Sequence, residues 1–248
     1  MGVHPVTKVV AFSCVHAPFT RKDAFAWLIS VIRREKPTHI VNLGDWMEGD
    51  AASVHANENI HTIEDEYEAA TSQSVQIHKA APKAKLVWLL GNHDDNIQSC
   101  DPRRIPKKFR GAVHWSRSMY RDEFARWEQV PYEKSKRGTY QHGPIVFYHG
   151  YDAGANTDQR EAMQFCRLTG WQAGRLFVRG HTHSPEPVTQ CRYGSVRFPW
   201  WYCNVGTLGP MKPMYAKRRC TANWGAGCLV ATVEGWKWTA EVREFQRG

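Results

Sequence analysis

The chain has no run of roughly 18 apolar residues, so nothing in it reads as a membrane-spanning helix. Met1-Gly2-Val3-His4-Pro5 lacks a basic region followed by an apolar one, so no secretory signal is read there. Cysteines number an odd seven without regular spacing, which argues against a disulfide framework and predicts a reducing, cytoplasmic setting. Internal repeats and low-complexity segments are missing, which argues against a repeat solenoid. Acids are scarce as well: 24 Asp and Glu against 33 Lys and Arg leave a net charge of +9. The 248 residues suit one domain over 1–248, able to bury a substantial core, with a basic insertion at about 96–138.

The positive excess is uneven. From Arg103 to Arg137 eleven Lys/Arg face four Asp/Glu, and Lys212 to Arg219 adds four bases and no acid. Such density favours an anionic partner, nucleic acid first, with a solvated surface as the plainer alternative. Thr20 to Asp23 reads as a helix start, Thr capping, for a helix running to about Lys36 that buries Ala24, Trp27, Leu28 and Val31. A longer helix is predicted from Asn59 to Ala80, with Glu64 to Glu68 as solvated first turns, and a short one from Arg121 to Gln129. A helix near Thr157 to Thr169 and two hairpins follow, Val188–Arg192 with Ser195–Tyr202 and Leu229–Val233 with Lys237–Phe245. The strand–helix order implies parallel β-α-β units in an α/β fold.

Five polar clusters each follow an apolar run that reads as a buried strand. Cys14-Val15-His16 follows Val9 to Phe12, Gly44-Asp45 follows Ile40 to Leu43, and Gly91-Asn92-His93-Asp94 follows Leu86 to Leu90. His149-Gly150 follows Ile145 to Tyr148, and Gly180-His181-Thr182-His183 follows Leu176 to Val178. Sites in layered α/β proteins gather at the carboxyl ends of strands, so five clusters at five strand ends converge on one pocket. Phosphoryl transfer needs charge neutralised on nonbridging oxygens and a water held in line, which two divalent metals supply. Asp45 is the natural carboxylate bridge, being the only one immediately at its strand end.

The pattern resembles the calcineurin-like metallophosphoesterases, written D-x-H, G-D, G-N-H-D/E, H and G-H-x-H, from about residue 8 to about residue 207. The resemblance implies a four-layer α/β/β/α sandwich of two mixed sheets flanked by helices. It implies two divalent transition-metal ions, Mn, Fe, Zn or Ni. Cys14, His16, Asp45 and His183 would hold one, and Asn92, His149 and His181, sharing Asp45, the other. His93 would protonate the leaving oxygen or steady the transition state, with Asp94 placed to hold its other ring nitrogen. Asn204-Val205-Gly206 resembles the family's late Asn-x-Gly and would support the floor of the site. Cys14 departs from the family's Asp, as it does in RNA lariat debranching enzymes. It is a softer thiolate ligand favouring Zn or Fe, a weak or absent ligand, or the mark of a degenerate enzyme, against which the complete remaining set argues.

Gly44-Asp45-Trp46-Met47-Glu48-Gly49 lacks the Asp-Arg-Gly extension of the protein serine/threonine phosphatases of this superfamily, and the phosphodiesterase and nuclease branches look closer. The basic stretch and Trp46, Trp115, Trp127, Trp200 and Trp201 near the expected rim suit a nucleic-acid strand, with core packing the alternative for each indole. Arg103, Arg104, Lys107 and Lys108 are the candidate substrate contacts. The expected function is therefore a two-metal phosphodiesterase or nuclease acting on nucleic acid or nucleotides. A phosphomonoesterase for small molecules or nucleic-acid ends, and a basic nucleic-acid-binding protein with a vestigial site, are the alternatives.

Overall fold

Alternation along the buried strands decides the layering. In β1 (Val6–Phe12), Val10 and Phe12 face one core and Val9 and Ala11 another. The same division holds in β2 (His39–Asn42), with Ile40 against Val41, and in β3 (Lys85–Leu89), with Leu86 and Trp88 against Val87 and Leu89. A strand apolar on both faces must be covered on both, and here one side meets helices and the other a second sheet. The computed structural model describes residues 5–53, 61–99, 113–154, 156–213 and 221–246.

The remaining strands are β4 (Glu128–Val130), β5 (Tyr140–His142), β6 (Ile145–Phe147), β7 (Arg175–Arg179), β8 (Glu186–Tyr193), β9 (Val196–Asn204), β10 (Gly227–Glu234) and β11 (Lys237–Glu244). One mixed sheet runs β11-β10-β1-β2-β3-β4 and the other β5-β6-β7-β9-β8. Val9, Ala11, Val41 and Val87 of the first sheet pack on Phe147, Leu176, Val178 and Cys203 of the second. Helices α1 (Lys22–Glu35) and α2 (Ile63–Ala80) cover the outer face of the first sheet, and α5 (Thr157–Thr169) that of the second. The expected four-layer sandwich is thus present. β1-β2-β3-β4 and β6-β7-β9 are parallel runs, so their carboxyl ends gather at one end of each sheet.

Several local expectations are corrected. Thr20 does not cap α1; its hydroxyl donates to Val15 O, and Arg21 is the N-cap residue without a side-chain bond. Phe25 is buried on that helix while Trp27 is only half-buried. Helix α2 starts with a capping box between Thr62 and Asp65, and the expected start at Asn59 lies outside the described residues. Glu66 in its first turn is buried, not solvated, and its Oε2 accepts the Gly49 N–H at 2.7 Å. Arg121 to Gln129 forms only a four-residue helix, α4 (Arg121–Phe124), before the chain turns extended as β4 beside β3. Part of the stretch read as an insertion thus completes the first sheet.

Four of the five tryptophans expected near the rim, Trp46, Trp115, Trp127 and Trp200, are buried in the core instead. Trp46, Trp115 and Trp127 are buried with Trp88 and Phe124. Trp46 meets Trp88 at 5.3 Å and Trp127 at 4.8 Å, edge to face. Its indole N–H donates to Gln73 Oε1. Emptying such a position by Trp46→Ala is expected to cost about 3–5 kcal/mol. Trp200 is buried against α5, and Trp201 is half-buried.

Candidate metal centre

The loops that leave the parallel strands turn through backbone conformations that L-residues disfavour. Cys14, His16 and Asp45 all have φ of 53°, His181 66° and His183 63°. Such left-handed residues cost on the order of 1–3 kcal/mol each and persist only where surroundings over-determine them. Backbone bonds do so here: Cys14 N–H donates to Gly44 O at 2.9 Å, and His16 N–H to Asp45 O at 3.0 Å. Leu208 and Gly209 N–H both donate to Cys14 O. Gly91 is required by crowding, because a Cβ there would stand 2.1 Å from Asp45 Oδ1.

Cys14, His16, Asp45 and His183 form the first group, all buried, with one ligand atom from each lying within 4.8 Å of the others. His16 Nδ1 donates to the Glu48 carboxylate at 2.7 Å, which turns Nε2 inward. There it faces His183 Nε2 at 3.2 Å. Burial, with His16 next to it, holds His183 well below the usual histidine range, so its imidazole is neutral. Its buried Nδ1 has no hydrogen-bond partner among the described residues. Burial and the Asp45 carboxylate push the Cys14 thiol up, and its sulfur accepts the His181 N–H at 3.3 Å.

Asp45, His149 and His181 form the second group, and Asn92 joins it. The His149 Nδ1–H donates to Leu43 O at 2.7 Å, since a carbonyl can only accept. The other nitrogen, Nε2, then has Asn92 Oδ1, Asp45 Oδ2 and His181 Nδ1 around it, each at 3.2 Å. A single proton can satisfy one of these contacts; a divalent cation satisfies all of them together. Burial holds His181 at about 3, a neutral ring able to donate its lone pair. Burial pushes Asp45 up, but His149 and His93 outweigh it and keep the carboxylate well below its usual range. Imidazoles, an anionic carboxylate, an amide oxygen and a thiol, converging from five strand ends, are a donor set that fits divalent transition metals.

His93 and Asp94 open α3 (Asn92–Ser99) and part company there. Asp94 does not hold the His93 ring, contrary to expectation. It is buried beneath the loop and accepts the N–H groups of Trp46, Met47 and Gly91 and the Trp88 indole. Burial and Asp45 raise its pKa to about 6, with the Gly91 and Met47 N–H groups pulling it back, so it is ionised at neutral pH. The His93 Nδ1–H instead donates to Glu48 O at 2.6 Å, with the Glu48 carboxylate 3.8 Å away. Burial opposes the charged ring, but Asp45 and Glu48 prevail and raise His93 to about 9. Its ring stands edge-on to His16 at 4.8 Å.

Glu48 belongs to none of the sequence motifs, although an acid behind Trp46-Met47 and ahead of Gly49 is a local oddity; it is buried beside His16 and His93. Arg179 likewise lies outside the motifs. It is fully buried, pairs with Glu161 at 3.1 Å and Asp158 at 3.3 Å, and donates to Asp152 O, bracing the loop that carries His149-Gly150. Asn204 donates to Gly180 O and Thr182 Oγ1 and fastens the Gly180–His183 turn. Arg103, Arg104, Lys107 and Lys108 lie outside the described residues. No described helix is long and apolar enough to cross a membrane.

The family model described as calcineurin-like phosphoesterase matches residues 7–185. Among solved structures, the chain is similar to a metallophosphoesterase from Sphaerobacter thermophilus, with 14% identity, 98% of this chain and 89% of that one covered, and a TM-score of 0.48. It is also similar to Yfce, a phosphoesterase from E. coli, at 15% identity, 91% and 90% coverage and a TM-score of 0.44. Vacuolar Protein Sorting 29 from Cryptosporidium parvum follows at 13%, 98% and 99%, and 0.47. No curated protein sequence matches the chain.

Proposed function

The chain belongs to the calcineurin-like phosphoesterase family, and on that premise we propose that it is a metal-dependent phosphodiesterase acting on nucleic acid or nucleotides. The observation that carries the hydrolytic reading is the crowding of Asn92, Asp45 and His181 around one nitrogen of His149. We assign Cys14, His16, Asp45 and His183 to one ion and Asn92, His149 and His181, with Asp45 shared, to a second. Bound divalent ions supply Lewis-acid polarisation of the phosphoryl group and of water. The ligand loops would orient the ester, and His93, with its Nδ1–H held by Glu48 O, would give its Nε2 proton to the departing oxygen. Glu48 is the positioning residue for both His16 and His93. The diester preference is supported by the net charge of +9 and by the likeness of the motifs to the phosphodiesterase and nuclease branches.

The test is hydrolysis of bis-p-nitrophenyl phosphate and p-nitrophenyl phosphate by metal-stripped protein resupplied with Mn, Zn, Fe or Ni. Diester cleavage that needs both metal and Asp45 is the expected result. Monoester cleavage alone would move the assignment to a phosphomonoesterase. Silence on both substrates with every metal would sink the hydrolytic reading in favour of a basic binding protein.

A further inference from the structure

Among the described parallel strands, β4 alone leads into none of the motifs. β1, β2, β3, β6 and β7 lead into the proposed ligand loops, and β9 into Asn204-Val205-Gly206. β4 runs parallel to β3 and so delivers its carboxyl end to the same place. It ends at Val130, whose carbonyl accepts the Leu90 N–H at 2.9 Å just ahead of the Gly91–Asp94 loop. The next residues are Pro131 and Tyr132.

Tyr132 is half-buried, and its ring stands edge-on to His149 at 5.8 Å. It also stacks on Tyr151 of the His149 loop, 4.7 Å away and 18° from parallel. The two hydroxyls are used differently. That of Tyr151 donates to Glu133 O, whereas that of Tyr132 has no hydrogen bond among the described residues. The turn that carries Tyr132 is fixed to the loop that carries His149. Lys134 Nζ reaches the Asp152 carboxylate at 2.9 Å, and Arg179 donates to the Asp152 carbonyl. Burial pushes the Tyr132 phenol up, and of the charged groups around it Asp45 adds most, as befits a hydroxyl turned toward the ligand groups. The His93 ring stands against His16 and Tyr132 against His149, so each ligand group has one such side chain beside it. A donor held on a rigid turn at the site, without an acceptor of its own, is prepared for an anion.

We propose that Tyr132 is a substrate-binding residue, its hydroxyl donating to a nonbridging oxygen of the phosphoester beside the second ligand group. The contact rests on the hydrolytic reading for its purpose, since it would hold the ester against His149, Asn92 and His181. Tyr132→Phe deletes the hydroxyl and keeps the ring that packs on His149 and Tyr151. Wild type, Tyr132→Phe and Tyr151→Phe are compared in bis-p-nitrophenyl phosphate hydrolysis, in zinc content and in melting temperature. The Zn-loaded proteins are also titrated calorimetrically with inorganic phosphate, a readout that needs no turnover.

Tyr132→Phe should lower kcat/KM about ten- to a hundredfold and phosphate affinity about tenfold, with zinc content and melting temperature unchanged. Tyr151→Phe, which breaks the bond to Glu133 O, should lower the melting temperature by roughly 2–4 °C and leave phosphate affinity within about threefold. Equal losses of phosphate affinity in the two variants would make the stacked pair a structural tie and overturn the contact. Loss of zinc from Tyr132→Phe would overturn it too. Diester cleavage and phosphate binding that Tyr132→Phe retains in full would overturn the contact while leaving the hydrolytic reading intact. Phosphate binding that depends on Tyr132 in a protein that cleaves neither ester would uphold the contact and remove the hydrolytic reading. A wild type that neither binds phosphate nor cleaves an ester would overturn both.

Discussion

The two halves of the site are built on different supports. Behind the first group stands a side chain: His16 is oriented by the Glu48 carboxylate. Behind the second group stands backbone: His149 is oriented by Leu43 O, a neutral carbonyl that no side-chain substitution can remove. The first group also carries the thiol, which must lose its proton to bind an ion. With Cys14 as a ligand, the first half would be the more anionic and is expected to be the more sensitive to pH and mutation; His149 in the second is anchored by the backbone.

Asp45 belongs to both halves, so its loss should have the largest effect. Asp45→Asn is expected to reduce diester turnover below about a tenth of wild type and to lower metal content in both groups. Retention of activity would show that the halves do not share a bridge. Cys14→Ser should affect one half alone, removing about one equivalent of metal by elemental analysis while leaving the other. Cys14→Asp should restore that equivalent and shift preference toward Mn. Equal metal content in wild type and Cys14→Ser would show that the sulfur does not coordinate.

Support can be tested without touching a ligand. Glu48→Gln is expected to weaken metal binding by about 10–100-fold, whereas Leu43→Val, which keeps the carbonyl, should leave affinity within about twofold. Comparable losses in the two variants would erase the contrast between charged and backbone support. The smallest expected effect is on the metal-free fold. Burial, helped by Glu48 and Asp50 and opposed by the Gly49 N–H, raises Glu66 from 4.5 to about 8. The folded state thus holds a proton that the unfolded chain releases near pH 4.5. This contribution is complete below pH 4.5 and is lost as pH rises through about 8. Melting temperature should fall over that window by a few degrees more in wild type than in Glu66→Gln. Parallel curves would mean that Glu66 is not protonated in the fold.

The parts of the molecule legible beforehand were those with a strong local pattern. Apolar runs followed by Gly, Asp, Asn and His located β1, β2, β3, β6 and β7, because a strand buried on both faces and a turn beside a polar site leave distinct marks in sequence. What failed needed directions rather than positions. His93 and Asp94 are neighbours in the chain, yet in the first turn of α3 consecutive side chains diverge, so Asp94 reaches the loop beneath while His93 turns to Glu48. Trp46 follows Asp45, but its indole points into the aromatic core with Trp88 and Trp127. Glu66 looked like one of several solvated acids because helical phase, not composition, put it inside.

Five of the proposed ligands hold left-handed backbone without being glycine, and this bears on how such a chain can change over generations. Glycine would relax every one of those turns, and each replacement would dismantle the centre. A lineage freed from phosphoester chemistry would thus find firmer folds one substitution away from this one. If those five positions carry the proposed reaction, keeping Cys, His and Asp there sets catalysis against folding, so loss of the reaction is an easy evolutionary path and its recovery a hard one.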